Sequence, residues 1–327
     1  MKFFSKFNMK INLIIFLVLY PLLVFAANPT WTTPQKVAVA AFAVDDYSHY
    51  YKRGLKSLKR SIHHRDMFIE TLFSRVNQKY PGKRTFTTYR RWNAKASKKD
   101  YGEAVLYHSE FVFFSGHGSQ QKICLYDYPI CVSAGCGRDI CPNDGGGKVY
   151  GGDTRWVILD ACLTLNVNKD DRLEYPLSAD IVDLSKVDKL REAFVGVHAI
   201  LGFYSLSWED FRLSYANGYS EVASEYLYWY FTKYFIEDGE TIWDSFNMAS
   251  ADIVDDFSSY PRAKGLKPAI AFLRGYDKKG RYHDTSTERF DHTFEQPIKI
   301  EGSLELFVMY DEHGDPEYYG DSEIISF

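Results

Sequence analysis

Five apolar runs punctuate the chain: KVAVAAFAV (36–44), EFVFF (110–114), RWVIL (155–159), HAILGF (198–203) and PAIAFL (268–273). None alternates cleanly between apolar and polar positions. A strand that is apolar throughout is buried on both faces, so these runs predict strands of a largely parallel sheet. TFTTY (85–89) is a weaker strand candidate, rich in β-branched and aromatic residues. Between the runs lie segments with helical spacing. RDMFIETLFSRVNQKY (65–80) sets Phe68, Leu72, Phe73 and Val76 on one face and stops at Pro-Gly-Lys. SEVASEYLYWYFTKYFIEDG (220–239) reads as an aromatic-rich helix closed by Gly239, and TIWDSFNMASADIVDDF (241–257) as another. Strands alternating with helices predict an α/β fold, doubly wound, with a mostly parallel sheet and helices on both faces.

Two regions depart from that pattern. Residues 121–154 hold four cysteines and a Gly-Gly-Gly but little periodicity, and read as a Cys-rich insert in loop form. After about residue 275 the chain turns polar, then gives KIEGSLELFVMY (299–310), which alternates like an antiparallel strand. The expected layout is a main α/β domain over 36–275 and a small β-rich C-terminal extension over 276–327. At the other end, Lys2, Lys6 and Lys10 precede INLIIFLVLYPLLVF, followed by VFAANP with Val24 and Ala26 placed as in a small-residue cleavage site. That is the pattern of a signal peptide over 1–26, which predicts a secreted, periplasmic or cell-surface protein with no stable membrane span after cleavage. An uncleaved anchor is the competing reading, disfavoured by the shortness of the run.

Composition narrows the partners. The chain is 46% hydrophobic and 25% charged, ordinary for a folded globular protein. It carries 39 Lys and Arg against 43 Asp and Glu, and loss of the leader lysines takes the net charge from −4 to −7. The nearest thing to a basic face is KRTFTTYRRWNAKASKKD (83–100), read as a solvated loop and strand, so no nucleic-acid partner is expected. The acidic DEHGDPEYYGD (311–321) lacks the spacing of an EF-hand loop. No cofactor and no metal are expected, and Ca²⁺ is without support.

The cysteines change the picture more. Cys124, Cys131, Cys136 and Cys141 crowd together, and Cys162 stands apart. In an exported chain an even cluster reads first as two disulfides of undetermined connectivity. A four-thiolate zinc site is the rival, disfavoured because no CxxC pair occurs. Either way Cys162 is left over.

Cys162 also sits where chemistry is expected. In open α/β sheets, ligands bind beyond the carboxyl ends of the strands. The run 110–114 ends in Ser-Gly-His-Gly, with His117 just past it, and the run 155–159 ends in Asp160-Ala161-Cys162. If those strands are parallel neighbours, an imidazole and a thiol meet in one crevice. The imidazole can take the thiol proton and later return it to a leaving amine. The N–H groups of Gly118 and Cys162 are candidates for an oxyanion hole. Taken singly, each residue has a plainer reading: a turn histidine and a small core cysteine.

The blocks FFSGHG and VILDACLTL resemble the His-Gly and Asp-x-Cys blocks of caspase-like cysteine peptidases, the superfamily of caspases, metacaspases, legumains, gingipains and separases. Metacaspases and gingipains are the nearest in motif. HRDMFIETLF (64–73) also resembles the first helix of that fold. The resemblance implies a caspase-like domain over roughly 36–275, His117 as general base and Cys162 as nucleophile. It further implies that Asp45 or Asp46, with Asp160, builds a pocket for Arg or Lys at P1. The segment YSLSWED would line the same crevice, with Ser205 and Trp208 contacting substrate. One departure stands out: Leu163-Thr164-Leu165 follows the cysteine where metacaspases have a small polar Ser-Gly. The expectation is an exported cysteine endopeptidase acting on a protein or peptide. The alternative is a non-catalytic binding or structural protein on the same scaffold. His63 and His64 are expected at the surface near a helix start, and His198 as structural.

Overall fold

In the computed structural model the apolar runs line up in one nine-stranded sheet. The structure describes residues 31–32, 36–48, 55–97, 99–101, 109–120, 122–127, 129–131, 154–169, 181–194, 196–205, 212–214, 220–257, 266–294, 300–310 and 321–326. The expected leader, 1–26, lies outside them. The strands that form the sheet are β1 (Lys36–Ala43), β2 (Thr85–Trp92), β3 (Phe111–Ser115), β4 (Trp156–Asp160), β5 (Ala199–Phe203), β6 (Pro268–Tyr276), β7 (Tyr282–Asp284), β8 (Glu301–Tyr310) and β9 (Asp321–Ser326). Their order is β9-β8-β6-β5-β4-β3-β1-β2, with β7 paired to β6. The strands β2, β1, β3, β4 and β5 run parallel. From β6 onward the pairing is antiparallel. This is a mixed, mostly parallel α/β sheet.

The unbroken apolar runs are explained by what covers each face. Alternate residues of β1, β3 and β4 point to opposite sides. Ala40, Phe42, Val112, Phe114, Val157 and Leu159 pack with Val187, Leu190 and Ala193 of helix Leu184–Ala193. Val39, Ala41, Phe111, Phe113, Trp156 and Ile158 pack with Phe68 and Leu72 of helix Ser61–Lys79, Phe231 of helix Ala223–Thr232 and Phe246 of helix Ile242–Phe257. We label these helices in chain order: α1 is Ser61–Lys79, α2 Leu184–Ala193, α3 Ala223–Thr232 and α4 Ile242–Phe257. Both faces are therefore apolar and both are covered.

The structure refines several of these expectations. The run 268–273 was expected in the parallel part, but β6 pairs antiparallel with β5. Its apolar character comes from burial between two neighbours, which pairing direction does not alter. The C-terminal strand β8 joins β6 over eight residue pairs from Ala269↔Val308 to Tyr276↔Glu301, so the extension continues the same sheet. The described part of 121–154 is not bare loop: Lys122–Cys124 pairs with both Gly118–Ser119 and Pro129–Cys131. These strands are two or three residues long, too short for periodicity to declare them. The aromatic helix after residue 220 also divides, with α3 passing into a π-helical stretch, Lys233–Asp238, that ends on left-handed Gly239 (φ 80°). Among the described residues no helix is long and apolar enough to cross a membrane.

Candidate active site

Strands β3 and β4 are parallel neighbours, in register from Phe111↔Trp156 to Ser115↔Asp160. The ladder runs one step further, as the Gly116 N–H donates to the Asp160 carbonyl at 3.1 Å. His117 and Cys162 each stand two residues past that last register pair. The two turns then close on each other. A Cβ at Gly118 would lie 2.4 Å from the Cys162 carbonyl oxygen and 2.9 Å from the Ala161 Cβ. Only glycine permits that approach. The turns are also tied by the Gln120 side-chain amide, which donates to Asn166 Oδ1 at 3.0 Å.

The turn after β4 has its own architecture. Leu163 is left-handed (φ 58°), an uncommon conformation for a residue with a Cβ. Its N–H donates to the Ser205 carbonyl at 2.8 Å, and the Leu165 N–H to the Phe203 carbonyl at 3.1 Å. Thr164 is buried; its Oγ1 donates to the Ala161 carbonyl and accepts from the Phe203 N–H, both at 3.3 Å. It faces Gly202, where a Cβ would sit 2.5 Å from that oxygen. Leu165 is fully buried. The unexpected Leu-Thr-Leu thus docks the turn after Cys162 onto the end of β5. Cys162 itself is partly exposed.

His117 is held from the opposite side by the loop that follows β1. Its Nε2 donates to the Lys56 carbonyl at 2.7 Å. Because a carbonyl can only accept, the proton of the neutral ring is on Nε2 and its basic lone pair on Nδ1. Tyr47, fully buried, packs its ring against the imidazole with centroids 4.7 Å apart. Tyr47 Oη accepts from the His117 N–H at 2.9 Å and donates to the Cys124 carbonyl at 2.8 Å. The Cys124 N–H returns to the His117 carbonyl at 2.8 Å. Partial burial lowers the His117 pKa below its ordinary value, against the opposing pull of the Lys56 carbonyl.

Two of the three acids expected in a specificity pocket, Asp160 and Asp45, are engaged elsewhere. Asp160 is buried; its Oδ2 accepts from Ser115 Oγ at 2.8 Å and pairs with His64 Nδ1 at 2.7 Å. His64 Nε2 stands 3.2 Å from Glu225, which also takes Arg60 at 2.7 Å. Burial alone would depress the pKa of His64, but Asp160 and Glu225 together raise it to about 10. Glu225 is held below its ordinary value, burial being outweighed by His64 and Arg60. Burial, with Asp160 beside it, drives the Tyr228 phenol up. Asp45 Oδ1 accepts from the Ile62 N–H at 3.1 Å and so caps α1, whose own N-cap residue Arg60 offers no side-chain bond. Burial raises the Asp45 pKa against those backbone bonds. Asp46 Oδ1 accepts from the Ser48 N–H at 2.9 Å. Ser205 is buried, its Oγ accepting from the Lys267 N–H at 2.7 Å, so it braces the turn after Cys162. Trp208 lies outside the described residues.

Histidines and cysteines complete the inventory. His64 was expected at the surface and is instead fully buried at the heart of the charge network, while its neighbour His63 is exposed. His198 is buried on Glu288 at 2.7 Å, as a structural histidine would be. Cys124 is buried beside the His117 turn. Cys131 opposes Lys122 in its short ladder, and Cys136 and Cys141 lie outside the described residues. Among the described residues no group of three His, Cys, Asp or Glu is placed to hold a metal. Tyr47, Lys56, Glu225 and Tyr228 were missed by sequence reading. Only the carbonyl of Lys56 acts, which no residue type signals, and the others are brought in by tertiary contacts.

Comparison with known proteins adds likeness at the level of shape. No family model matches the sequence, and no curated protein matches it. Among solved structures, the chain is similar to the Arg-specific cysteine proteinase gingipain R (RgpB), with 10% identity and a TM-score of 0.41, over 90% of this chain and 69% of that one. It is also similar to the complex of Porphyromonas gingivalis RgpB pro- and mature domains, with 10% identity and a TM-score of 0.38, over 89% of this chain and 67% of that one.

Proposed function

We propose that the chain is a cysteine endopeptidase of caspase-like type, with Cys162 as nucleophile and His117 as its base. The observation that carries this reading is the contact of the two turns, where Gly118 lies against the Cys162 backbone so closely that no side chain fits between. In this reading His117 Nδ1 accepts the Cys162 Sγ proton, with the Lys56 carbonyl fixing the ring. The thiolate adds to a peptide carbonyl, and the N–H groups of Gly118 and Cys162 receive the oxyanion. The C–N bond then breaks as the imidazolium protonates the departing amine. Water hydrolyses the thioester with His117 again as base.

With Asp160 committed to His64 and Asp45 to the helix cap, Asp46 is the acid we assign to a basic P1 side chain. It is part-buried at the end of β1. Peptides varied at P1 test that assignment: equal cleavage after Arg and Ala removes it. Export, with disulfides among Cys124, Cys131, Cys136 and Cys141, accompanies the proposal. Mass spectrometry of the secreted chain without reduction reads both the mature N-terminus and the pairing.

The test of the dyad is alkylation. Iodoacetamide at mildly acidic pH labels Cys162 fast in the wild type and roughly 100-fold more slowly in His117→Ala, the typical worth of a positioned base. A Cys162 that is inert in the folded wild type leaves a binding or structural role on the same scaffold as the better reading.

A further inference from the structure

The loop after β1 grips the histidine at two levels. One is the Lys56 carbonyl on the ring, already assigned to orientation. The other is Tyr47, which reaches the backbone on both sides of the turn. Its Oη takes the His117 N–H and gives its own proton to Cys124, whose N–H returns to the His117 carbonyl. Its ring backs the imidazole. Gly116 is fitted to the same hydroxyl, since a Cβ there would lie 2.5 Å from Tyr47 Oη. Tyr47 is in turn seated by Ser57, whose Oγ accepts the Tyr47 N–H at 3.1 Å. Ser57 is the residue after Lys56, so one short segment fixes both the phenol and the carbonyl.

We propose that Tyr47 is a positioning residue that holds the His117 imidazole in a single orientation and tautomer, with the basic nitrogen available to Cys162. The last clause rests on the dyad reading; the first stands on the contacts alone. Without the hydroxyl, the His117 N–H and the Cys124 carbonyl lose a shared buried partner. The turn then loosens, and the ring leaves the Lys56 carbonyl for part of the time. Tyr47→Phe keeps the ring contact and removes only the hydroxyl, so it separates positioning from packing.

The experiment uses full-length protein labelled with ¹⁵N-histidine, the His117 ring signals being identified by their loss in His117→Asn. The wild type shows one neutral tautomer, protonated on Nε2. Tyr47→Phe shows exchange between tautomers, and its Cys162 alkylates roughly five- to tenfold more slowly, the scale of one lost hydrogen bond. Ser57→Ala moves both readouts the same way by less, and it decides the matter if Tyr47→Phe does not fold. A single Nε2–H tautomer and an unchanged rate in a folded Tyr47→Phe overturn the proposal. Tautomer exchange in Tyr47→Phe with an inert Cys162 in every variant sustains the positioning and overturns the dyad.

Discussion

His117 and Cys162 come from different strands, and what joins them is glycine. Gly118 lets the histidine turn lie on the backbone of Cys162. Gly118→Ala puts a methyl group where no atom fits, and overpacking of this kind costs about 1–3 kcal/mol. Urea denaturation reads that loss, and alkylation of Cys162 slows with it as the turns separate. The lowered pKa of His117 gives a second expectation. Its imidazole stays neutral to a pH below its ordinary 6.5, so under the proposed dyad it can act as a base across the neutral range. The rate of Cys162 alkylation against pH falls only on the acid side of that value; a fall centred above pH 6.5 contradicts the assignment. At this scale the sequence marked the candidate pair and was silent on their support. Ser-Gly-His-Gly and the odd cysteine stood out by residue type. The supporting Tyr47 hydroxyl and Lys56 carbonyl act only through a loop returning from another strand.

The elements were legible where burial is two-sided. The apolar runs of β1, β3, β4 and β5 fell within a residue or two of the observed strands, because covered parallel strands have no polar face to blur them. Helix α2 was missed. LSKVDKLREA sends Val187, Leu190 and Ala193 inward, and its start is marked by Asp183 capping Ser185. The Leu-Thr-Leu after Cys162 looked foreign to the resemblance and has a local reason. Leu163 turns left-handed, Thr164 bonds back to Ala161, and Leu165 fills the core beside β5. That turn makes a prediction. A β-branched side chain tolerates the left-handed region worst, so Leu163→Ile destabilises the fold by about 1–2 kcal/mol, while Leu163→Gly costs less. Thermal melts of the two variants give the order; the reverse order removes strain from the description of the turn.

Across the whole molecule, strand β4, which leads to Cys162, is anchored to the helical layer by charge. Asp160 ends β4, His64 opens α1 and Glu225 opens α3, so one buried network joins sheet and helices beneath the site. Asp160 was legible as a carboxylate near the cysteine, and its partner was not. His64 looked like a helix-start surface residue because no local pattern announces a buried ion pair. Breaking such a pair strands a charge, so Asp160→Ala costs about 3–5 kcal/mol in stability. The network also sets a pH dependence. His64 has a folded pKa of about 10 against an ordinary 6.5. The stability it contributes is complete below pH 6.5 and is lost as pH rises from there through about 10. Denaturant midpoints across that window fall in the wild type and fall less in His64→Gln; parallel curves would place the charge elsewhere.

Peptide cleavage by Cys162 is tested by hydrolysis of a fluorogenic peptide library by the folded wild type and by Cys162→Ala. If Cys162 is the nucleophile, the wild type turns the peptides over and Cys162→Ala loses that turnover by at least about 1,000-fold. Equal activity in the two proteins, or none in a wild type shown to be folded, contradicts it.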